Sequence, residues 1–225
     1  MGANLRNMRL YDLFAPVYRF FAAFSGWSQG EAEYRRAVAE ELGIQPGMRV
    51  LEVGIGNGAM IPYLPDGAQL FGLDISAGML RGCQRNLARR DRAAHLFQGE
   101  GCKLPFRIGV FDRVFQVGGI HRFANPARAI REMVWVAKPG GKIVIADLVA
   151  NKASGRPSDA DAPEGHASTP EGATEASTDT KNEPPTLVED LLSLLPAEIT
   201  DVKFRSLDHG RWFCVTLHKP AGTGD

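Results

Sequence analysis

Between Arg49 and Met60 the chain reads RVLEVGIGNGAM: an apolar run interrupted by Glu52, then glycines at positions 54, 56 and 58. Missing side chains permit left-handed backbone and bring the main chain close to a ligand. Asp74 lies 20 residues beyond Gly54, and Glu100, Gln116 and His121 follow later apolar runs. Carboxylates can accept from hydroxyls or hold a cation, an amide can donate or accept, and an imidazole can take a proton near neutral pH. Gly54, Gly56 and Ala59 satisfy the G-x-G-x-x-G/A pattern of a dinucleotide-binding turn, with Asp74 where a ribose-binding acid belongs. A nicotinamide-dependent oxidoreductase is one reading of that spacing. Glu52 argues for another, because it would set a charge beside a pyrophosphate that the helix N-terminus is meant to attract. A cationic ligand without phosphate suits it better.

Strands must carry these groups to one place, and the flanking residues predict them. Ser28 and Glu31 form a capping box that opens a helix to Leu42, closed by Gly43. A buried strand, Arg49 to Val53, leads through the glycine turn to a short helix ending before Pro65, and a second strand, QLFGLD, ends at Asp74. Ser76 caps a helix with Leu80, Cys83 and Leu87 inward and a solvated row of Arg81, Arg85 and Arg89 outside. Strands follow at AHLFQ and VFDRVFQV. Asn125 and Pro126 then open a helix whose Ile130, Met133, Val134 and Ala137 share one face, stopping at Lys138-Pro139-Gly140-Gly141. The strand KIVIADLV, a helix near Leu187 to Leu195, and an antiparallel hairpin of VKFRSL and RWFCVTLHK about Asp208-His209-Gly210 complete the pattern. Such alternation predicts an α/β, doubly wound, mostly parallel sheet with ligand sites at the carboxyl ends of its strands.

Composition narrows the function classes. The 225 residues suit one domain of ordinary size, and 26 basic against 26 acidic residues leave no net charge to favour nucleic acid. Three cysteines, none in C-x-x-C spacing, argue against a disulfide framework or a metal site and for a cytoplasmic setting. No run reaches the roughly 18 apolar residues of a membrane span. Residues 151–187 are almost wholly Ala, Ser, Thr, Gly, Pro and acidic residues, a composition expected to stay disordered. The N-terminal stretch is aromatic instead, with Phe14, Val17, Tyr18, Phe21 and Phe24 in a stripe and Arg6, Arg9 and Arg19 between them. It is expected to form a lid over the cleft, or to lie on a membrane surface through residues 5–27.

LEVGIGNG, LFGLDIS, GEGCKLPF, FDRVFQVGGIHRFANPARAIREM and VAKPGGKIVIAD resemble, in order and spacing, the successive motifs of class I methyltransferases. Within that group they are most similar to the ubiquinone and menaquinone biosynthesis methyltransferases and their small-molecule relatives. The resemblance covers about residues 11–149 and implies a Rossmann-like sheet of seven strands, the hairpin supplying the last. It also implies S-adenosylmethionine, whose sulfonium, amino group and ribose diol match the demands of the glycine turn. By the same resemblance Gly54, Gly56 and Asn57 would wrap the methionine part, Glu52 would hold the amino group, and Tyr11 would touch the methionine end. Asp74 would accept both ribose hydroxyls with Ile75 against the adenine. Glu100 and Gly101 would read the adenine edge, where the family more often has Asp-Ala, and Gln116 would line the methionine side. The division expected is an aromatic segment (1–27), a cofactor-binding core (28–150), the insertion (151–187), and a helix and hairpin completing the same domain (188–220).

His121 carries two readings. It follows the fourth strand in GGIHRF, where the family often has His-His but Arg122 replaces the second. It is either the base that removes a proton from the acceptor or a loop histidine bonded to backbone. The aromatic N-terminus points to an apolar acceptor, quinone-like or lipid, which keeps a phospholipid N-methyltransferase open. A cofactor-binding module without turnover, working through partners of the acidic insertion, is the reading from another class.

Overall fold

A computed structural model describes residues 29–148, 188–199, 201–207 and 212–221. The expected N-terminal stripe, Tyr11, Ser28, the insertion and the Asp208-His209-Gly210 turn lie outside the described residues. Seven strands form one sheet in the order β3-β2-β1-β4-β5-β7-β6. They are β1 (Arg49–Val53), β2 (Gln69–Asp74), β3 (His95–Gln98), β4 (Phe111–Val117), β5 (Ala137–Leu148), β6 (Val202–Leu207) and β7 (Trp212–His218). β1 pairs in parallel with β2 and β4, β2 with β3, and β4 with β5, whereas β7 runs antiparallel to both β5 and β6. This is the doubly wound, mostly parallel sheet with an antiparallel hairpin that the sequence implies. Its strand order turns back on either side of β1 and β4, which opens a crevice at their carboxyl ends.

Helices cover both faces. α1 (Gln29–Leu42) buries Tyr34, Val38 and Leu42 at helical spacing against Val50, Leu70, Phe115, Val144 and Ala146 of the sheet. α2 (Ala77–Ala88) buries Leu80, Cys83 and Leu87 while Arg81, Arg85 and Arg89 stay exposed. Ser76 caps it, its hydroxyl accepting from Met79 N at 3.1 Å. α3 (Pro126–Val136) starts at Asn125, whose side chain accepts from Arg128 N at 2.9 Å. Its Ile130, Met133 and Val134 join Leu51, Val53, Ile143 and Ile145 in the other main cluster, which also takes Leu191 of α4 (Val188–Ser193). Ile143, Val144, Ile145 and Ala146 of β5 are all fully buried, as expected of a central strand covered on both sides.

Two elements differ from their expected form. The short helix after the glycine turn is a single 3-10 turn, Ile61–Tyr63. Gly54, Gly56 and Gly58 hold φ of +78°, +56° and +81°, so helical backbone cannot begin before residue 59, and Pro62 and Pro65 keep any helix from continuing. α3 ends one residue early, at Val136. Ala137 adopts φ −70°, ψ 143° and pairs with Phe111, so it is buried as the first residue of β5. The register then shifts between Phe111 and Arg113, accommodating the Pro139-Gly140-Gly141 turn.

Candidate active site

The crevice is a cleft of about 1130 Å³, mouth included, and Glu52, Gly54, Gly56, Asn57, Asp74, Ile75, Glu100, Gly101 and Gln116 all line it. The carboxyl ends of β1, β2, β3 and β4 bring them together from positions up to 64 residues apart, since 116 − 52 = 64. Tyr11 is outside the described residues.

At the β1–β2 end, the glycine turn and Asp74 hold each other in place. Asp74 Oδ2 accepts from Gly56 N at 2.8 Å and Oδ1 from Ser76 N at 2.9 Å. Gly54 N and Ile55 N both donate to Leu73 O, at 2.7 and 3.0 Å, tying the turn to the end of β2. A Cβ added at Gly56 would meet nothing within 4 Å, so the bare backbone faces open cleft. Asn57 O accepts from Asn86 Nδ2 at 2.8 Å, and Ile75 O from Gln98 Nε2 at 3.2 Å.

Glu52 is the unusual group. It is 5% exposed, and its Oε2 is buried without a hydrogen-bond partner. Burial pushes its carboxyl up to about 8, helped by the charge of Asp74 and opposed by that of Arg35. Gln116, 1% exposed, likewise has a buried Oε1 with no partner. Buried polar atoms are ordinarily satisfied, so two orphaned oxygens at one cleft fit a ligand carrying donors. That donor set suits an ammonium-bearing group without phosphate, and so fits S-adenosylmethionine. Among the described residues no cluster of three His, Cys, Asp or Glu side chains could hold a metal ion.

The loop after β3 has a structural reason for glycine at position 101. A Cβ on Gly101 would lie 2.6 Å from Phe123 Cε2 and 3.1 Å from Val53 Cγ1. Phe123 also reaches across to Gly54, its Cζ 3.5 Å from a Cβ built there. The ring therefore forms a wall of the cleft that only glycine at 101 admits. Cys102 donates through Sγ to Asn125 O at 3.3 Å, and burial raises its thiol pKa, which keeps it an inert packing residue.

His121 is not among the cleft-lining residues, although its neighbours Gly119, Arg122 and Phe123 are. Its Nδ1 lies 3.0 Å from Asp147 Oδ2, and its Nε2 accepts from Arg122 Nε at 3.2 Å. A guanidinium can only donate, so Nε2 is the unprotonated nitrogen and Nδ1–H donates to Asp147. The same Asp147 oxygen accepts from Gly119 N and Ile120 N at 3.0 and 3.1 Å. At 3% exposed, this carboxylate at the end of β5 organises the whole turn after β4.

Sequence reasoning missed Arg35, Phe123 and Asp147. Arg35 left a trace, as Glu31 and Arg35 are an i,i+4 pair beside the buried stripe of α1. Asp147 interrupts an apolar strand, a signal equal to that of Glu52. Phe123 left none.

Residues 51–145 match the family model described as the methyltransferase domain. The chain is 38% identical over 140 residues to the demethylmenaquinone methyltransferase of Renibacterium salmoninarum, covering 62% of this chain and 57% of that one. It is 31% identical over 140 residues to that of Paenarthrobacter aurescens, covering 62% and 53%. The matches thus span little more than half the length of these curated relatives. Among solved structures, the cyclase SpnF aligns with a TM-score of 0.74 at 20% identity over 97% of both chains. A SAM-dependent methyltransferase from Aquifex aeolicus aligns at 0.62 and 18% identity over 89% of this chain and 97% of that one. At such identities these two likenesses speak to fold.

Proposed function

Taking residues 51–145 as a methyltransferase domain related to the demethylmenaquinone methyltransferases, we propose that the chain moves a methyl group from S-adenosylmethionine to a small, apolar, quinone-like acceptor. One observation carries the reading: a buried carboxyl with an orphaned oxygen, Glu52, stands beside the glycine turn, where the ammonium of a ligand can supply the partner it lacks. When bound, the cofactor supplies a methyl carbon already activated by positive sulfur. Positioning and exclusion of water are what remains for the protein to do.

Glu52 receives the amino group, Gly54, Gly56 and Asn57 follow the methionine part, and Gln116 closes that side. Asp74, its carboxylate oriented by Gly56 N and Ser76 N, accepts from the ribose hydroxyls, with Ile75 against the adenine and Glu100 and Gly101 at its edge. Asp147 holds His121 as the Nδ1–H tautomer, so that Nε2 takes the proton of an acceptor hydroxyl that displaces Arg122 Nε. Tyr11 and the aromatic stripe lie over the acceptor, and residues 5–27 contact the membrane surface from which an apolar substrate comes. No helix among the described residues is long and apolar enough to cross a membrane. Three free thiols fit a cytoplasmic setting.

Calorimetry of the full chain with S-adenosylmethionine and, separately, NADH tests the cofactor. Asp74→Ala lowers affinity for the former by about 1.5–3 kcal/mol for each charged hydrogen bond lost; unchanged affinity, or NADH binding in its place, defeats the assignment. Labelled cofactor incubated with a lipid extract, followed by mass spectrometry, identifies the acceptor. A labelled phospholipid would redirect the proposal to N-methylation. A second reading comes from the fold itself, since the SpnF cyclase shares it at high TM-score and fold does not dictate reaction. A product of unchanged mass, or cofactor binding with no turnover, would favour that reading or a binding module.

A further inference from the structure

α1 and α3 interleave charges of both signs, whereas the only charged side chains of α2 are arginines. Arg81 and Arg85 lie on its exposed face, Arg89 caps its end in the same i,i+4 row, and Arg90 follows. Like charges at that spacing repel, and the nearest carboxylate in sequence, Asp91, comes only after the helix has ended. Among the described residues the guanidinium groups of Arg81, Arg85 and Arg89 have no hydrogen-bond or ion-pair partner, and Arg90 Nη1 reaches only Asn86 O at 3.5 Å. Arg92 differs. It donates to Leu64 O and Pro65 O at 3.1 Å each and pairs with Asp66 at 3.0 Å. Four exposed arginines are thus left without a carboxylate by a chain that has 26 acidic residues to 26 basic ones.

The row starts at the rim of the cleft. Met79 lines the cleft, and Arg81 stands two residues beyond it on the same helix. A Cβ built on Gly82 would lie 3.4 Å from Asn57 Cβ and 3.8 Å from Arg85 Nη2, which sets that guanidinium beside a second cleft residue. We propose that the arginine row of α2 docks the protein on an anionic phospholipid bilayer, so that the rim of the cleft lies alongside the lipid. A guanidinium fork matches phosphate oxygens in pairs, and several cations near an anionic leaflet add their attractions. A nucleic acid carries phosphate too, but binding a single strand calls for aromatic faces on which bases stack. None of the exposed large apolar side chains, Phe97, Ile108, Trp135, Leu192 and Phe204, belongs to α2. The choice of lipid rests on the apolar acceptor proposed above, which dissolves in such a bilayer.

The test sediments the full chain, without cofactor, with vesicles of phosphatidylcholine alone and with vesicles of phosphatidylcholine and phosphatidylglycerol in equal parts. The chain should bind the mixed vesicles and not the neutral ones, and the binding should fade as salt is raised. Each arginine near such a surface contributes about 5-fold, so Arg81→Gln, Arg85→Gln and Arg89→Gln together should weaken binding roughly 100-fold. Arg→Lys at the same three positions should keep most of it. An unfolding midpoint equal to that of the wild type shows the glutamine variant to be folded; if it is not, Arg81→Gln alone should show the loss of about 5-fold. Equal binding to both kinds of vesicle, binding to neither, or unchanged affinity in the glutamine variants overturns the docking. So does binding of RNA or duplex DNA as tight as that of the mixed vesicles. A methylated apolar product from the lipid extract, with vesicle binding unchanged in the variants, overturns the docking alone. Vesicle binding lost in the variants, with no such product from the wild type, overturns the acceptor reading alone.

Discussion

At the β1–β2 end of the cleft the ligand-facing groups are set by backbone. Asp74 is held by two main-chain N–H groups, one of them in the turn it faces, and the turn is pinned to Leu73 O by two more bonds. At the β4–β5 end the order comes from side chains, because Gly119 N, Ile120 N and His121 Nδ1 all converge on one oxygen of Asp147. The first arrangement joins residues within about one βαβ unit, and two main-chain bonds to Leu73 O hold the turn besides the Asp74 carboxylate. The second adds to a main-chain bond, Gly118 N to Ala146 O, one buried carboxylate that its strand brings up only when β5 is placed beside β4. The end that binds the cofactor in the proposed reading and the end that carries His121 are thus held by different arrangements.

The largest effect expected sharpens the binding half, through pH. Glu52 has a folded-state pKa of about 8 against an ordinary 4.5, so the folded protein keeps a proton that the unfolded chain releases. Its contribution to stability is full below pH 4.5 and declines as pH rises through about 8. Denaturant unfolding without ligand should show stability falling with pH in that window by up to about 1.4 kcal/mol per unit, a slope that Glu52→Gln removes. An ammonium ligand reverses the preference, so binding near pH 7 should release a proton, read as a buffer-dependent calorimetric enthalpy.

The contrast breaks next at His121. If it is the base, His121→Ala should lower turnover by roughly 10²-fold or more while S-adenosylhomocysteine affinity stays near its starting value. Equal losses in both would show the two halves to be one unit. Asp147→Asn should reduce unfolding free energy by about 1–3 kcal/mol and slow turnover, because the amide can accept from Nδ1–H or donate to a bare Nδ1 and the tautomer is no longer set. Cofactor affinity should change little, which binding titrations check. The smallest effect lies where the halves meet. Gly101→Ala should weaken cofactor binding or stability by about 1–2 kcal/mol through overpacking against Phe123, and Phe123→Leu in the same chain should restore most of it. An additive double mutant would show that the ring is not the obstacle.

Local rules make the elements and the binding half legible in the chain. The caps Ser76 and Asn125, the inward stripe of Leu80, Cys83 and Leu87, and the apolar strands each depend on neighbours within a few residues, and each forms as its residues predict. Left-handed glycines and prolines act over the same range, yet their combination replaced a short helix by one 3-10 turn, since several local preferences competed in nine residues, 57–65. Motif spacing also located the cleft residues, because strand ends in a parallel sheet must converge.

What tertiary structure alone decided is the company those residues keep. Glu31 and Arg35 are legible as a helix pair, but only the packing of α1 onto the sheet brings Arg35 and Glu52 to the walls of one cleft. The fit of Phe123 to Gly101 joins positions 22 residues apart, since 123 − 101 = 22, and the bond from His121 to Asp147 spans 26. Neither separation matches any helical or strand period. Periodicity reports which face of an element is apolar, whereas such contacts depend on strand order and register, set by the summed burial of the whole core. The sequence by itself determined an α/β sheet, its glycine turn and its acidic strand ends; the assembled fold determined which charge is paired, which oxygen is left without a partner, and which nitrogen of His121 carries the proton.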